Sequence, residues 1–169
     1  SEYKPIFILG VLVLFLILAV AIVSAFWPRY EERFFELSLL GKDKKLEGYY
    51  PNNSSTPEIG SSVLWYIYIH NHMGSAQNVS VRVKLLNSTM QAPNDREHEP
   101  SPFPYFVEVP LTLDIDKTLI IPFSWSILEA ASQNGSITIK RLIVNNQRVE
   151  ADIKAFSDNR FRMVFELWV

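Results

Sequence analysis

The chain has 169 residues, with 16 basic and 18 acidic side chains, a net charge of −2 and no cysteine. Near balance argues against nucleic acid, for which a basic stripe would be expected, so no nucleic-acid partner is expected. The lack of thiols excludes disulfides, thiolate metal sites and cysteine nucleophiles.

Residues 6–27 carry no charge and are almost wholly apolar. At about 1.5 Å rise per residue they reach about 33 Å as a helix, enough for a hydrocarbon core of about 30 Å. A cleaved signal has a shorter apolar core, about 7–15 residues, and a small-residue cleavage site. Here bulky Phe26 and Trp27 follow Ala19, Ala21 and Ala25. The expectation is a retained transmembrane helix within residues 1–28. Pro5 and Pro28 bracket it, and Trp27 and Tyr30 suit the membrane interface. Residues 29–169, with every charged side chain except Glu2 and Lys4, then form one extracytoplasmic domain of ordinary size.

In that domain residues 35–40 read as a first short strand and 48–62 as a Pro/Gly/Ser/Asn loop. Residues 63–70 are β-branched and aromatic, a strong strand signal, and 71–77 form a turn. Residues 78–86 alternate: Val79, Val81, Val83 and Leu85 on one face, Ser80, Arg82 and Lys84 on the other. Residues 87–104 form a long, polar, Pro-rich connection that makes no core. Strands at 105–113 and 118–126 join through a turn at 114–117. Pro122 cannot donate to a ladder and marks an edge or a bulge. Residues 127–134 suggest a short helical piece ended at Asn134-Gly135. Strands follow at 137–144, 149–156 and 160–169, with Asn145-Asn146 as a turn between the first two. Many short strands and no long amphipathic helix in the domain predict an all-β immunoglobulin-like sandwich after a single N-terminal transmembrane α-helix. A partly closed barrel is the alternative.

Five of ten asparagines, Asn52, Asn53, Asn78, Asn87 and Asn134, stand in Asn-x-Ser/Thr sequons, which mark acceptors for N-linked glycans on translocated surface. They place the C-terminal domain outside the cytoplasm of a single-pass cell-membrane protein.

The segment Glu32-Arg33-Phe34-Phe35-Glu36-Leu37-Ser38-Leu39-Leu40-Gly41 is followed by Glu47-Gly48-Tyr49-Tyr50-Pro51. Farther on, Asn71 closes a strand before Asn78-Val79-Ser80-Val81-Arg82-Val83. Together these resemble the extracytoplasmic module of a mainly archaeal family of uncharacterised membrane proteins, a domain of unknown function. They are also similar to cell-adhesion-related immunoglobulin-like modules. The resemblance covers residues 31–169 and implies the fold and a surface role, but no catalytic residue. Members of the archaeal family usually carry several membrane spans, and this chain shows one.

Three groups of side chains are candidates for function. His70, His72 and Met73 lie at a strand end, with the two imidazoles on one face; imidazole and thioether suit copper, and His98 is a candidate further ligand. Leu64, Tyr66 and Tyr68 form an outward interface stripe if Val63, Trp65, Ile67 and Ile69 face the core. The acidic loop with Asp95, Glu97 and Glu99 reads as contact surface rather than acid–base machinery. Asp114 and Asp116 read as turn residues, too few for calcium. With no nucleophile elbow, phosphate loop or zinc-protease motif, no enzyme is expected. The favoured reading is an accessory or structural subunit, with the lipid bilayer and other membrane or cell-surface subunits as partners. A pilin-like filament subunit and an extracytoplasmic copper or ligand binder are the alternatives.

Overall fold

The computed structural model describes residues 3–26, 32–156 and 158–169. It divides into two units, Ser1–Glu32 and Arg33–Val169. Trp27 and Tyr30, expected at the membrane interface, lie outside the described residues.

The first unit holds one helix, α1 (Lys4–Phe26). Its stretch Phe7–Phe26 buries no side chain and is long and apolar enough to cross a membrane. The Ser24 hydroxyl donates to the Ala21 carbonyl, so the one polar side chain of that stretch is satisfied within the helix.

The second unit is built from strands β1 (Phe35–Leu40), β2 (Val63–Asn71), β3 (Gln77–Asn87), β4 (Val107–Leu113), β5 (Thr118–Gln133), β6 (Ser136–Val144), β7 (Gln147–Ala155) and β8 (Phe161–Trp168). They form two antiparallel sheets, ordered β1-β2-β5-β6-β7 and β4-β3-β8. Period-two burial explains how the sheets pack. Val63, Trp65, Ile67 and Ile69 of β2 meet Val79, Val81, Val83 and Leu85 of β3 in one core with Phe123 and Trp125. Trp65 centres an aromatic cluster, edge-on to Tyr50, Trp125 and Phe165 at ring separations of 5.7, 5.1 and 6.2 Å. Its indole N–H is satisfied by the Tyr49 carbonyl.

Two hairpins close on asparagine. Asn134-Gly135 joins β5 to β6 and Asn145-Asn146 joins β6 to β7, all four residues at positive φ. Two-residue turns of the I′ type need that conformation, which Gly and Asn tolerate best.

The helical piece expected at residues 127–134 is a strand instead. β5 runs on to Gln133 and pairs with β6, with register shifts on either side of Glu129. Those irregularities break the alternation that marks a strand in sequence. Pairing with β6 overrides the helical preference of Leu128, Glu129, Ala130 and Ala131. Pro122 lies opposite Tyr66 of β2, while pairing with β6 begins only at Trp125. The N–H and C=O of Ser124 face Asn145, on the β6 side. By alternation Pro122 faces the same way, beyond the end of β6, so β5 is locally an edge and no ladder donor is lost there.

The connection between β3 and β4 is not the solvated spacer its composition suggests. It lies over the outer face of the β4-β3-β8 sheet. There the Lys84 ammonium meets the Glu166 carboxylate at 2.7 Å and donates to the Ser101 carbonyl at 2.6 Å. The Ser101 N–H donates to Glu166 at 2.8 Å. Lys84, Ser101 and Glu166 are all buried. Removing one partner from such a pair strands a buried charge, at a cost of about 3–5 kcal/mol, whereas replacing both with apolar residues is often neutral. Lys84→Met is therefore expected to lower the urea midpoint of the full chain in detergent, followed by tryptophan fluorescence. Lys84→Met with Glu166→Leu removes the stranded charge but leaves the Ser101 N–H and C=O unpartnered, so it should recover part of the loss; a double variant weaker than the single one contradicts this reading.

Candidate functional site

The outer face of β1, β2 and β5 presents the second set of alternating side chains. Leu64, Tyr66 and Tyr68 point away from the core, as their buried neighbours require. Cross-strand pairing widens the stripe, setting Tyr66 between Leu40 and Pro122, and Tyr68 between Ser38 and Ile120. Leu64 is 38% and Ile120 40% exposed, while the two tyrosines are half-buried by their neighbours. The Lys44 ammonium stands 5.2 Å from the centre of the Tyr66 ring, a cation–π contact at the rim.

The stripe ends in a cluster of histidines. His70 is in β2, and His72 follows it beside Phe34, whose carbonyl accepts the His72 N–H at 3.0 Å. The rings stack in a row: Phe34 on His72 at 4.4 Å, His72 on His70 at 4.0 Å. Register brings Thr118 of β5 opposite His70. His70 Nδ1 lies 2.7 Å from Thr118 Oγ1, and Nε2 lies 3.0 Å from Asp116 Oδ1. One ligand atom from each of His70, His72 and Asp116 falls within 4.8 Å of the others.

Asn71 holds this end together. Fully buried, its side-chain amide donates to the carbonyls of Ser75, Leu113 and Asp114 at 2.9, 3.1 and 2.9 Å, and accepts the Met73 N–H at 2.9 Å. Its backbone N–H donates to Lys117, and its carbonyl accepts from Asp116. One residue thus ties the end of β2 to the following turn and to the β4–β5 turn that carries Asp116.

Of the residues expected to bind metal, His70 and His72 come together. Met73 enters the turn, where its backbone serves Asn71. His98 stands in an exposed turn of the long loop between the paired Asn94 and Glu99, apart from this cluster. Glu97 there accepts from the Asn94 amide at 2.8 Å, as a solvated turn does. Asp116, read from sequence as a plain turn residue, is the partner of His70. Thr118 is the other residue that sequence reading missed. Only the β2–β5 register reveals either contact.

The sequon asparagines divide. Asn52, Asn53, Asn78 and Asn134 are exposed. Asn87 is 4% exposed, donates to the Lys154 carbonyl at 2.8 Å and accepts from Thr89 and Met90. A glycan on that nitrogen would replace a buried hydrogen bond, so the folded domain has no place for it.

On the other sheet, Arg82 lies over the rings of Trp168 at 4.2 Å and Tyr105 at 5.0 Å and donates to Glu108 at 2.8 Å. Hydrogen bonds from Arg82, and then from Ser80, hold the Glu108 carboxyl below its ordinary range. Arg82 and Glu108 thus satisfy one another, which fits a structural role.

Compared with known proteins, the chain matches no protein-family model and no curated sequence.

Removing the Asn71 amide leaves buried carbonyls without donors. Asn71→Ala is expected to destabilise the domain by about 3 kcal/mol in urea unfolding. Asn71→Asp, which keeps the shape but sets a carboxylate against three carbonyls, should cost at least as much. An unchanged midpoint for either variant would show that this clamp is not needed.

Proposed function

We propose that this protein is a membrane-anchored, non-enzymatic interaction module, an accessory or structural subunit of a membrane or cell-surface assembly. Its helix stays in the bilayer and its β-domain stands outside the cytoplasm. The observation that carries the reading is the apolar helix, none of whose stretch Phe7–Phe26 is covered by protein. Each Val, Leu, Ile and Phe side chain of that stretch favours an apolar surrounding by about 1.5–3 kcal/mol, which lipid supplies and water does not.

The domain supports the binding half of the proposal. The long β3–β4 loop packs on one sheet, whereas the face of β1, β2 and β5 keeps an aliphatic and aromatic stripe at its surface. Tyrosine is enriched where proteins meet. We read Leu64, Tyr66 and Tyr68 as the centre of that contact. Asn52, Asn53, Asn78 and Asn134 are the residues we assign to glycans, in keeping with a location outside the cytoplasm.

We read the domain as a variant immunoglobulin-like sandwich. Strands β1, β2 and β5 share a sheet and β3 lies in the other, as strands A, B, E and C do in that fold. β8 takes the place beside β3 that strand F holds, and β6 and β7 are an added hairpin continuing from β5.

Photo-crosslinking in native membranes tests the proposal. A benzoylphenylalanine in place of Tyr66 should give one adduct of fixed mass containing a different membrane or surface protein. The same probe in place of the exposed Gln133 should give none. No adduct at Tyr66 would contradict a subunit role, and a ladder of the chain's own multimers would point to a filament.

A further inference from the structure

We propose that His70, His72 and Asp116 form a binding site for one divalent first-row transition ion of the class that prefers imidazole, such as zinc, nickel or copper. Three features carry this independently of the anchoring proposal.

The first is donor chemistry. Two imidazoles and one carboxylate suit these ions, whereas calcium and magnesium require mainly oxygen. The second is distance. Metal–nitrogen and metal–carboxylate bonds of about 2.0–2.2 Å place their donor atoms about 3.0 Å apart at a right angle and about 3.4 Å apart in a tetrahedron. His70 Nε2 and Asp116 Oδ1 are 3.0 Å apart, so that edge of the site lies within a few tenths of an ångström of ligand spacing in either geometry. His72 completes the set by a side-chain rotation, since ligand atoms of the three residues lie within 4.8 Å of one another. No hydrogen bond holds either His72 ring nitrogen among the described residues; the ring is only stacked between Phe34 and His70.

The third feature is support from behind. With the ion on Nε2, the ring proton of His70 sits on Nδ1 and donates to Thr118 Oγ1, at 2.7 Å. This outer contact orients metal-bound histidines and fixes the tautomer. Asp116 is held at positive φ in the β4–β5 turn, which Asn71 clamps to β2. The three ligands therefore stand on two segments whose relative position is set by buried hydrogen bonds. Three protein ligands leave positions open to solvent at the end of the aromatic stripe.

The test uses the full chain in detergent micelles, titrated calorimetrically with zinc ion, and separately loaded with one equivalent of copper(II) for electron paramagnetic resonance. The expected result is one zinc per chain and a copper spectrum with hyperfine splitting from two nitrogens. His72→Phe keeps the ring stack and Asp116→Asn keeps a hydrogen-bond acceptor for His70. Each should weaken zinc binding at least about tenfold. His98→Ala should leave it unchanged. Zinc binding as weak in the parent chain as in His72→Phe, or equal loss in His98→Ala, would overturn the proposal.

Discussion

The register of β2 is the constraint on which the rest of the domain depends. Its side chains alternate between the shared core and the outer surface, so a slip of one residue would exchange Trp65 and Ile67 with Tyr66 and Tyr68. The aromatic cluster around Trp65 rewards one arrangement by burial, and the Asn71 amide fixes the strand's end by hydrogen bonds to the β2–β3 and β4–β5 turns. Everything on the outer face, including the stacked histidines, takes its place from that setting.

The two outer faces of the sandwich are treated differently. Over β3 and β8 the long loop closes down, and its polar backbone is satisfied by the buried Lys84–Glu166 pair through both the N–H and the C=O of Ser101. Leu86 is fully buried on that side. Over β1, β2 and β5, Leu64 and Ile120 remain at the surface. The chain thus uses a buried ion pair to seat its loop on one sheet, and on the other it leaves Leu64 and Ile120 exposed beside the half-buried Tyr66 and Tyr68.

The sequence made most strands legible because their signals are local. Residues 35–40 form β1 as expected, and the alternation of Val79, Val81, Val83 and Leu85 marks the core face of β3. The outward direction of Leu64, Tyr66 and Tyr68 follows from the same period. The second half of β5 was hidden, because irregular pairing around Glu129 removes the period and its composition favours helix. The packing of the β3–β4 loop was hidden as well, since it rests on contacts between Ser101 and Glu166, 65 positions apart. The candidate metal site was half legible. The spacing of His70 and His72 shows one shared face, but Asp116 and Thr118 reach them only through the pairing of β2 with β5, which no local pattern encodes.

Because the chain contains no cysteine, single introduced thiols report exposure along β2 without background. Maleimide labelling of the full chain in detergent, with Cys placed one at a time at positions 63–69, tests the register most directly. Leu64→Cys, Tyr66→Cys and Tyr68→Cys should react readily in the folded protein, and Val63→Cys, Ile67→Cys and Ile69→Cys only after denaturation. Uniform reactivity, or the inverse alternation, would contradict the account.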